Sequence, residues 1–398
     1  MKRIMLFFLI MVSMLGLSAA EPVRDIDALR KAPAVTPVTE FKFDFEVPDN
    51  IRPVWLESVP FHGKPVRVFA WFGMPRNTGN KPVPGMVLVH GGGGTAFAGW
   101  VKYWTDRGVA AIAVDCTGSR PVVFDEQKAP RVRHDFGGAP DNYFVFEKDL
   151  ADQWSAQAVT AVILANSFLR SQVGVDPDRI GITGISWGGY LTCLAASLDD
   201  RFAFAAPVYG CGFLEDTWFA TPLGKMKEAD RARWLAAFDP AKHLGKLKMP
   251  VLFINGPNDR FYLLGAWQRS SELPQGKVFR SLPFPFGHSH QTGRRDEVAV
   301  FADAVFNGKA LPPEIKLTIK DGVARADYVP RDGIVRAELV YTADAGTAAE
   351  RKFQTVPAKL ANGVAEVRLP ADCRAGFVNI YDQSNHVWSS PVFRLEPK

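Results

Sequence analysis

Cysteine is scarce in this sequence and poorly spaced for metal. Cys116, Cys193, Cys211 and Cys373 are the only four in 398 residues. They do not fall at the short intervals of a zinc site. A chain of this length does not depend on disulfides for its core; Cys116 and Cys211 are a conceivable pair, and Cys193 is expected to be buried. Blocks of lysine and arginine are also missing. The net charge of +5 is spread thinly along the chain, which argues against a nucleic-acid partner. Histidine is rare, at seven residues, so two in one loop carry weight. A long apolar run occurs only at residues 4–17, after Lys2 and Arg3 and before Ser18-Ala19-Ala20. That order reads as a secretory signal peptide over residues 1–20, with the mature chain starting near Glu21. The run is shorter than the roughly 20 residues of a membrane span, and no later stretch is longer. A secreted or periplasmic protein without a membrane span is expected.

What is present is ordinary for a globular chain: 47% hydrophobic and 22% charged residues. Near the start, Phe41-Lys42-Phe43-Asp44-Phe45-Glu46-Val47 alternates like a half-buried strand, and residues 66–72 read as a second. Short apolar runs then alternate with helical stretches. Strands are expected at residues 86–90, 109–115, 202–209, 250–255 and 277–282, and helices at 100–107, 151–172 and 297–306. Asp176-Pro177-Asp178-Arg179 is expected to turn into a further strand at Ile180. This rhythm implies a mostly parallel sheet flanked by helices. Residues 117–148 and 210–243 break it with long aromatic segments, including Arg120, Arg131, Arg133, His134, Phe144, Trp218, Phe219 and Trp234. Both follow strand ends, where such sheets bind ligands. Leu311-Pro312-Pro313 marks a boundary. Beyond it, short alternating strands at 315–319, 335–341, 364–369 and 376–382 predict an all-β sandwich over residues 311–398.

The chemistry centres on Gly184-Ile185-Ser186-Trp187-Gly188. An apolar strand precedes it and a helix follows, the context of a nucleophile elbow. A serine hydroxyl needs a base to take its proton and a carboxylate to orient that base. The order serine, acid, histidine is met by Ser186, Asp259 and His288. Asp259 sits in a turn just past a strand, where it is read either as the acid or as a turn residue bonding its own backbone. His288 and His290 share the loop after the last strand, and His288, directly after Gly287, is the preferred base. The oxyanion needs donors already in place. Trp187 N–H is one candidate, and Gly92 or Gly93, in the glycine run after His90, is the other. His90 is expected to brace that run. No cofactor and no metal is required.

The elbow, Val89-His90-Gly91-Gly92-Gly93-Gly94-Thr95, Asp176-Pro177-Asp178-Arg179-Ile180-Gly181 and the Asp259 and His288 loops together resemble the α/β-hydrolase superfamily. Within it they are similar to the acetyl xylan esterase, dienelactone hydrolase and prolyl oligopeptidase branch. The resemblance runs over residues 41–308 and implies a Ser186–Asp259–His288 triad with an acyl-serine intermediate. Dienelactone hydrolases carry cysteine at the nucleophile, whereas this chain has serine. Prolyl oligopeptidases carry a propeller ahead of the hydrolase domain, for which residues 21–85 are too short. The C-terminal sandwich resembles an appended immunoglobulin-like module. The leading expectation is a secreted esterase acting on a small-molecule or carbohydrate ester. An oligopeptidase-type peptidase and a non-catalytic carbohydrate-binding or surface protein are the alternatives.

Overall fold

The computed structural model describes residues 22–23, 25–76, 79, 81–125, 131–330, 333–347 and 349–394. The signal-peptide reading of residues 1–20 and the start at Glu21 lie outside them. In chain order the strands of the main sheet begin with β1 (Val35–Pro37), β2 (Ile51–Phe61), β3 (Lys64–Gly73), β4 (Val83–Val89) and β5 (Ala110–Val114). A two-stranded hairpin follows, β6 (Ser119–Pro121) with β7 (Arg131–Arg133). The main sheet resumes with β8 (Val175–Ile185), β9 (Phe204–Val208), β10 (Val251–Ile254) and β11 (Val278–Ser281). Among the described residues its strands lie in the order β1-β2-β3-β5-β4-β8-β9-β10-β11. From β5 to β11 every pair is parallel, and β1, β2 and β3 join antiparallel.

The helices are α1 (Ile26–Leu29), α2 (Ala98–Thr105), α3 (Trp154–Ser171), α4 (Trp187–Leu198), α5 (Ala220–Leu223), α6 (Glu228–Phe238), α7 (Leu264–Ser270), α8 (His290–Gly293) and α9 (Asp296–Phe306). Among the described residues no helix is long and apolar enough to cross a membrane. The central strands are buried along their length: β5, β9 and β10 contain no exposed residue. That is the pattern of a parallel sheet covered on both faces, and it explains why these strands are short, continuous apolar runs.

Three expectations need correction. Residues 41–47 are not a strand. Their alternating aromatics instead form an irregular pad: Phe41 meets Trp55 at 5.8 Å, Phe43 meets Trp71 at 4.8 Å and Phe45 meets Phe124 at 6.0 Å between ring centroids. The neighbouring strand is β2, which Pro53 and Pro60 disguise, since proline cannot donate to a ladder. Asp176-Pro177-Asp178-Arg179 lies within β8 rather than in a turn before it. The conceivable disulfide does not form, because all four cysteines are free and buried.

The C-terminal part is all-β and antiparallel: β12 (Lys316–Lys320), β13 (Val323–Asp327), β14 (Ile334–Thr342), β15 (Phe353–Ala361), β16 (Val364–Arg368), β17 (Ala375–Asp382), β18 (Val387–Ser389) and β19 (Phe393–Arg394). β15 changes partner along its length. Phe353 to Ala358 face β14, and Lys359 to Ala361 face β16.

Candidate active site

Ser186 sits between β8 and α4 with φ 59° and ψ −119°. A non-glycine residue held there is strained and must be locked by its surroundings. Its N–H donates to Val208 O at 2.8 Å, and its carbonyl accepts from Tyr190 N–H at 2.9 Å. The flanking glycines make the turn sterically feasible. A Cβ on Gly188 would lie 2.0 Å from Val89 O, and one on Gly184 would lie 2.2 Å from Gly188 O. Only glycine lets α4 start this close to β4.

The structure brings the three expected side chains together. His288 Nε2 lies 2.8 Å from Ser186 Oγ, and His288 Nδ1 lies 2.5 Å from Asp259 Oδ2. With Nδ1–H donating to the carboxylate, Nε2 is left to accept from the serine hydroxyl. Asp259 is both things the sequence allowed. Its Oδ1 accepts from the N–H groups of Phe261 and Tyr262, each at 2.8 Å, so it caps its own turn while Oδ2 holds the imidazole. Its side chain is 1% exposed, against 18% for His288.

His290 is not at this centre. It is buried against Phe97 at 4.4 Å and Trp100 at 5.2 Å, and its Nε2 accepts from Arg294 at 2.6 Å. Burial, with the Arg294 charge beside it, holds its pKa well below the usual imidazole range. Arg294 also donates to Asp125 Oδ2 at 2.6 Å. The second histidine of the pair thus helps anchor α8 beneath the loop.

The glycine run after β4 lies against the elbow. Residues 91–94, Phe97, Ser186, His288 and His290 surround a cavity of about 290 Å3. A Cβ on Gly92 would come within 2.6 Å of the Trp187 indole and 3.0 Å of the Tyr143 hydroxyl. Gly93 has φ +73°, and its N–H approaches the Tyr143 hydroxyl. Trp187 opens α4, so its N–H has no acceptor inside the helix. His90, 3% exposed, braces the run from below. Its Nε2 accepts from Cys116 N–H at 3.0 Å, and its Nδ1 lies 2.8 Å from Gly91 O.

The two aromatic segments converge here, except for residues 126–130, which lie outside the described residues. Tyr143 stacks on Trp187 at 4.3 Å and 23°, and Phe219 reaches the same indole at 4.8 Å. Trp218 meets Phe261 at 5.6 Å, and Phe261 meets His288 edge-on at 4.9 Å. The arginines of residues 117–148 are committed elsewhere. Arg131 donates to Gly94 O at 3.1 Å and pairs with Asp141. Arg133 donates to the carbonyls of Thr117 and Gly138 at 2.9 and 2.5 Å, and Arg120 lies 4.5 Å from the Phe41 ring.

Tyr209, Phe261 and Tyr143 are site residues that sequence reasoning did not single out. Tyr209 follows β9 with φ 57° and stacks on His288 at 4.3 Å. Its hydroxyl donates to Gly287 O at 2.6 Å, which ties ring and loop together. A lone tyrosine at a strand end carries no sequence signal for this, because the contact depends on where a loop about 80 residues later returns.

The prolyl oligopeptidase family profile matches residues 132–264, a span that contains Ser186 and Asp259 but not His288. No curated protein matches by sequence. Among solved structures, the chain is similar to an acetyl xylan esterase from Paenibacillus sp. R4. The TM-score is 0.55 and the identity 22%, over 70% of this chain and 92% of that one. It is also similar to acetyl xylan esterase 1 from Thermoanaerobacterium sp. JW/SL YS485. There the TM-score is 0.54 and the identity 17%, over 72% of this chain and 95% of that one.

Proposed function

We propose, from the premise that the chain belongs to the α/β-hydrolase superfamily, that it is a serine hydrolase cleaving a carboxylic ester, with Ser186, His288 and Asp259 as its triad. The observation that carries this reading is the single imidazole bridging hydroxyl and carboxylate, at 2.8 and 2.5 Å. Ser186 Oγ attacks the ester carbonyl as His288 Nε2 takes its proton. Asp259 stabilises the imidazolium and keeps the ring in the one useful tautomer. The oxyanion is met by the N–H of Trp187 and by that of Gly92 or Gly93. His288 then returns the proton to the departing alcohol. A water, deprotonated by the same nitrogen, attacks the acyl-serine and releases the acid.

The cavity beside Ser186, about 290 Å3, is small for a ligand pocket. It suits a short acyl group such as acetyl. The names of the two structural neighbours suggest a carbohydrate as the alcohol part. Secretion, a catalytic domain over residues 21–310 and an immunoglobulin-like sandwich over 311–398 belong to the same proposal; the sandwich reading is supported by the partner change along β15. The profile match over residues 132–264 favours a second reading, an oligopeptidase-type peptidase. Turnover of p-nitrophenyl acetate and acetylated xylo-oligosaccharides, set beside an aminoacyl p-nitroanilide, separates the two. The ester reading expects kcat/KM for the acetyl esters to exceed that for the anilide by at least about 10²-fold. Preference for the anilide would replace it with the peptidase. No turnover of either, with no Ser186 acylation, would leave the non-catalytic binding protein.

A further inference from the structure

A second, larger cleft lies on the other side of the Asp259 turn, between α7 and the C-terminal sheet. Its volume is about 620 Å3, within the range of sites that enclose small ligands. Leu264 and Gln268 of α7 form one wall, and Arg351, Phe353 and Arg394 form the other. Asn258, immediately before the candidate acid, donates from Nδ2 to Arg351 O at 2.5 Å. One turn therefore borders both the Ser186 centre and this cleft.

The charges in the cleft do not cancel. Asp216 is matched by Arg269 at 2.5 Å. Glu272 accepts from Gln268 Nε2 at 2.7 Å, and its charge also acts on Arg280. Arg351 and Arg394 have no ion-pair partner among the described residues, although both line the cavity. Arg351 Nε donates to Gly346 O at 3.0 Å, which fixes the stem of the side chain. Arg394 rests over the start of α7, where a Cβ on Gly265 would come within 2.7 Å of its Nη2. Burial and the neighbouring Arg394 charge both draw the Arg351 pKa down, and Asp344 offsets this only in part. Two guanidinium groups that line one cavity and repel each other, with Asp344 only a partial counter-charge, form an arrangement that a bound anion would relieve. Their planar forks match carboxylate geometry, and the half-buried Phe353 ring, which lines the same cavity, offers an apolar surface.

We propose that this cleft is a second binding site, which takes the carboxylate of an acidic oligosaccharide on Arg351 and Arg394 with a sugar ring against Phe353. The saccharide half of the proposal rests on the carbohydrate-ester reading above, and the carboxylate half does not. The turn that carries Asp259 runs on to Leu263, which lines this cleft, so the two sites adjoin along the chain.

The test uses the full chain carrying Ser186→Ala, titrated calorimetrically with trigalacturonate, with neutral xylotriose and with tetraglutamate. Trigalacturonate is expected to bind at least about tenfold more tightly than xylotriose or tetraglutamate. Arg351→Gln and Arg394→Gln should each weaken it by about tenfold or more, while Arg394→Lys, which keeps the charge, should lose less. Unfolding temperatures close to the parent value establish that the variants fold. Absent trigalacturonate binding, equal affinity for the neutral trimer, parent-like affinity in both glutamine variants, or a preference for tetraglutamate would each overturn the proposal. A separate assay isolates the ester reading. With Ser186 intact, p-nitrophenyl acetate turnover should be unchanged by either glutamine variant, and its absence in the parent would sink the ester reading while the titration still decides the cleft.

Discussion

Asp259 divides its two carboxylate oxygens between its own turn and His288, so one residue both shapes the loop and orients the imidazole. Buried histidines elsewhere carry a different consequence. His134 is 6% exposed, packs edge-on to Trp55 at 4.6 Å, and has no hydrogen-bond partner for either ring nitrogen among the described residues. Burial takes its pKa down from the ordinary 6.5 to about 4. Between those values the unfolded chain holds a proton that the folded chain does not. The stability contribution is therefore whole above about pH 6.5 and is lost progressively as the pH falls to about 4, by up to about 3 kcal/mol. Denaturant titrations across that window should show the slope, and His134→Gln should flatten it. An identical slope in the variant would mean that other groups carry the acid sensitivity.

At the scale of elements, the strand-turn-helix unit of β8 and α4 depends on backbone contact. Gly188→Ala drives a methyl group into Val89 O and cannot be relieved by a side-chain movement. It should cost about 3–5 kcal/mol in thermal or denaturant unfolding. Gly287→Ala, where a Cβ meets nothing within 4 Å, should stay within about 0.5 kcal/mol. The inner strands β4, β5, β9 and β10 were legible because burial on both faces leaves mainly apolar residues to choose from. β2 was hidden by its prolines, and residues 41–47 misled because an extended coil can present alternate aromatics as well as a strand does. In the C-terminal part the strands β12, β14, β16 and β17 could be read. β15 could not, because Pro357 interrupts it and its alternation is of half-buried with exposed residues rather than apolar with polar. Ser186, Asp259 and His288 were legible through motif and chain order. Tyr209 and Tyr143 were not, because their roles arise only when distant loops meet.

Across the whole molecule, the C-terminal sheet grips the edge from which the His288 loop departs. Leu282 N–H donates to Ser389 Oγ at 2.7 Å, and Asn379 Nδ2 donates back to Leu282 O at 3.0 Å. Glu297, whose side chain is fully buried, accepts from Val387 N–H at 3.0 Å and from Arg295 at 2.6 and 2.9 Å. Glu297→Ala strands a partly buried guanidinium and a buried N–H, and should lower stability by about 3–5 kcal/mol. Glu297→Gln keeps the acceptor for Val387 and should cost less. A cut by dilute protease near residues 307–314 that comes sooner in the alanine variant would tie the loss to docking, whereas unchanged unfolding would remove Glu297 from the interface account. The central claim is that Ser186 is made nucleophilic by His288, and covalent labelling reaches it most directly. Incubation with a fluorophosphonate followed by peptide mass mapping should put one adduct on Ser186, none on Ser186→Ala, and slow the rate at least about 10³-fold in His288→Ala. An adduct on another residue, or a His288→Ala rate equal to the parent, would contradict it.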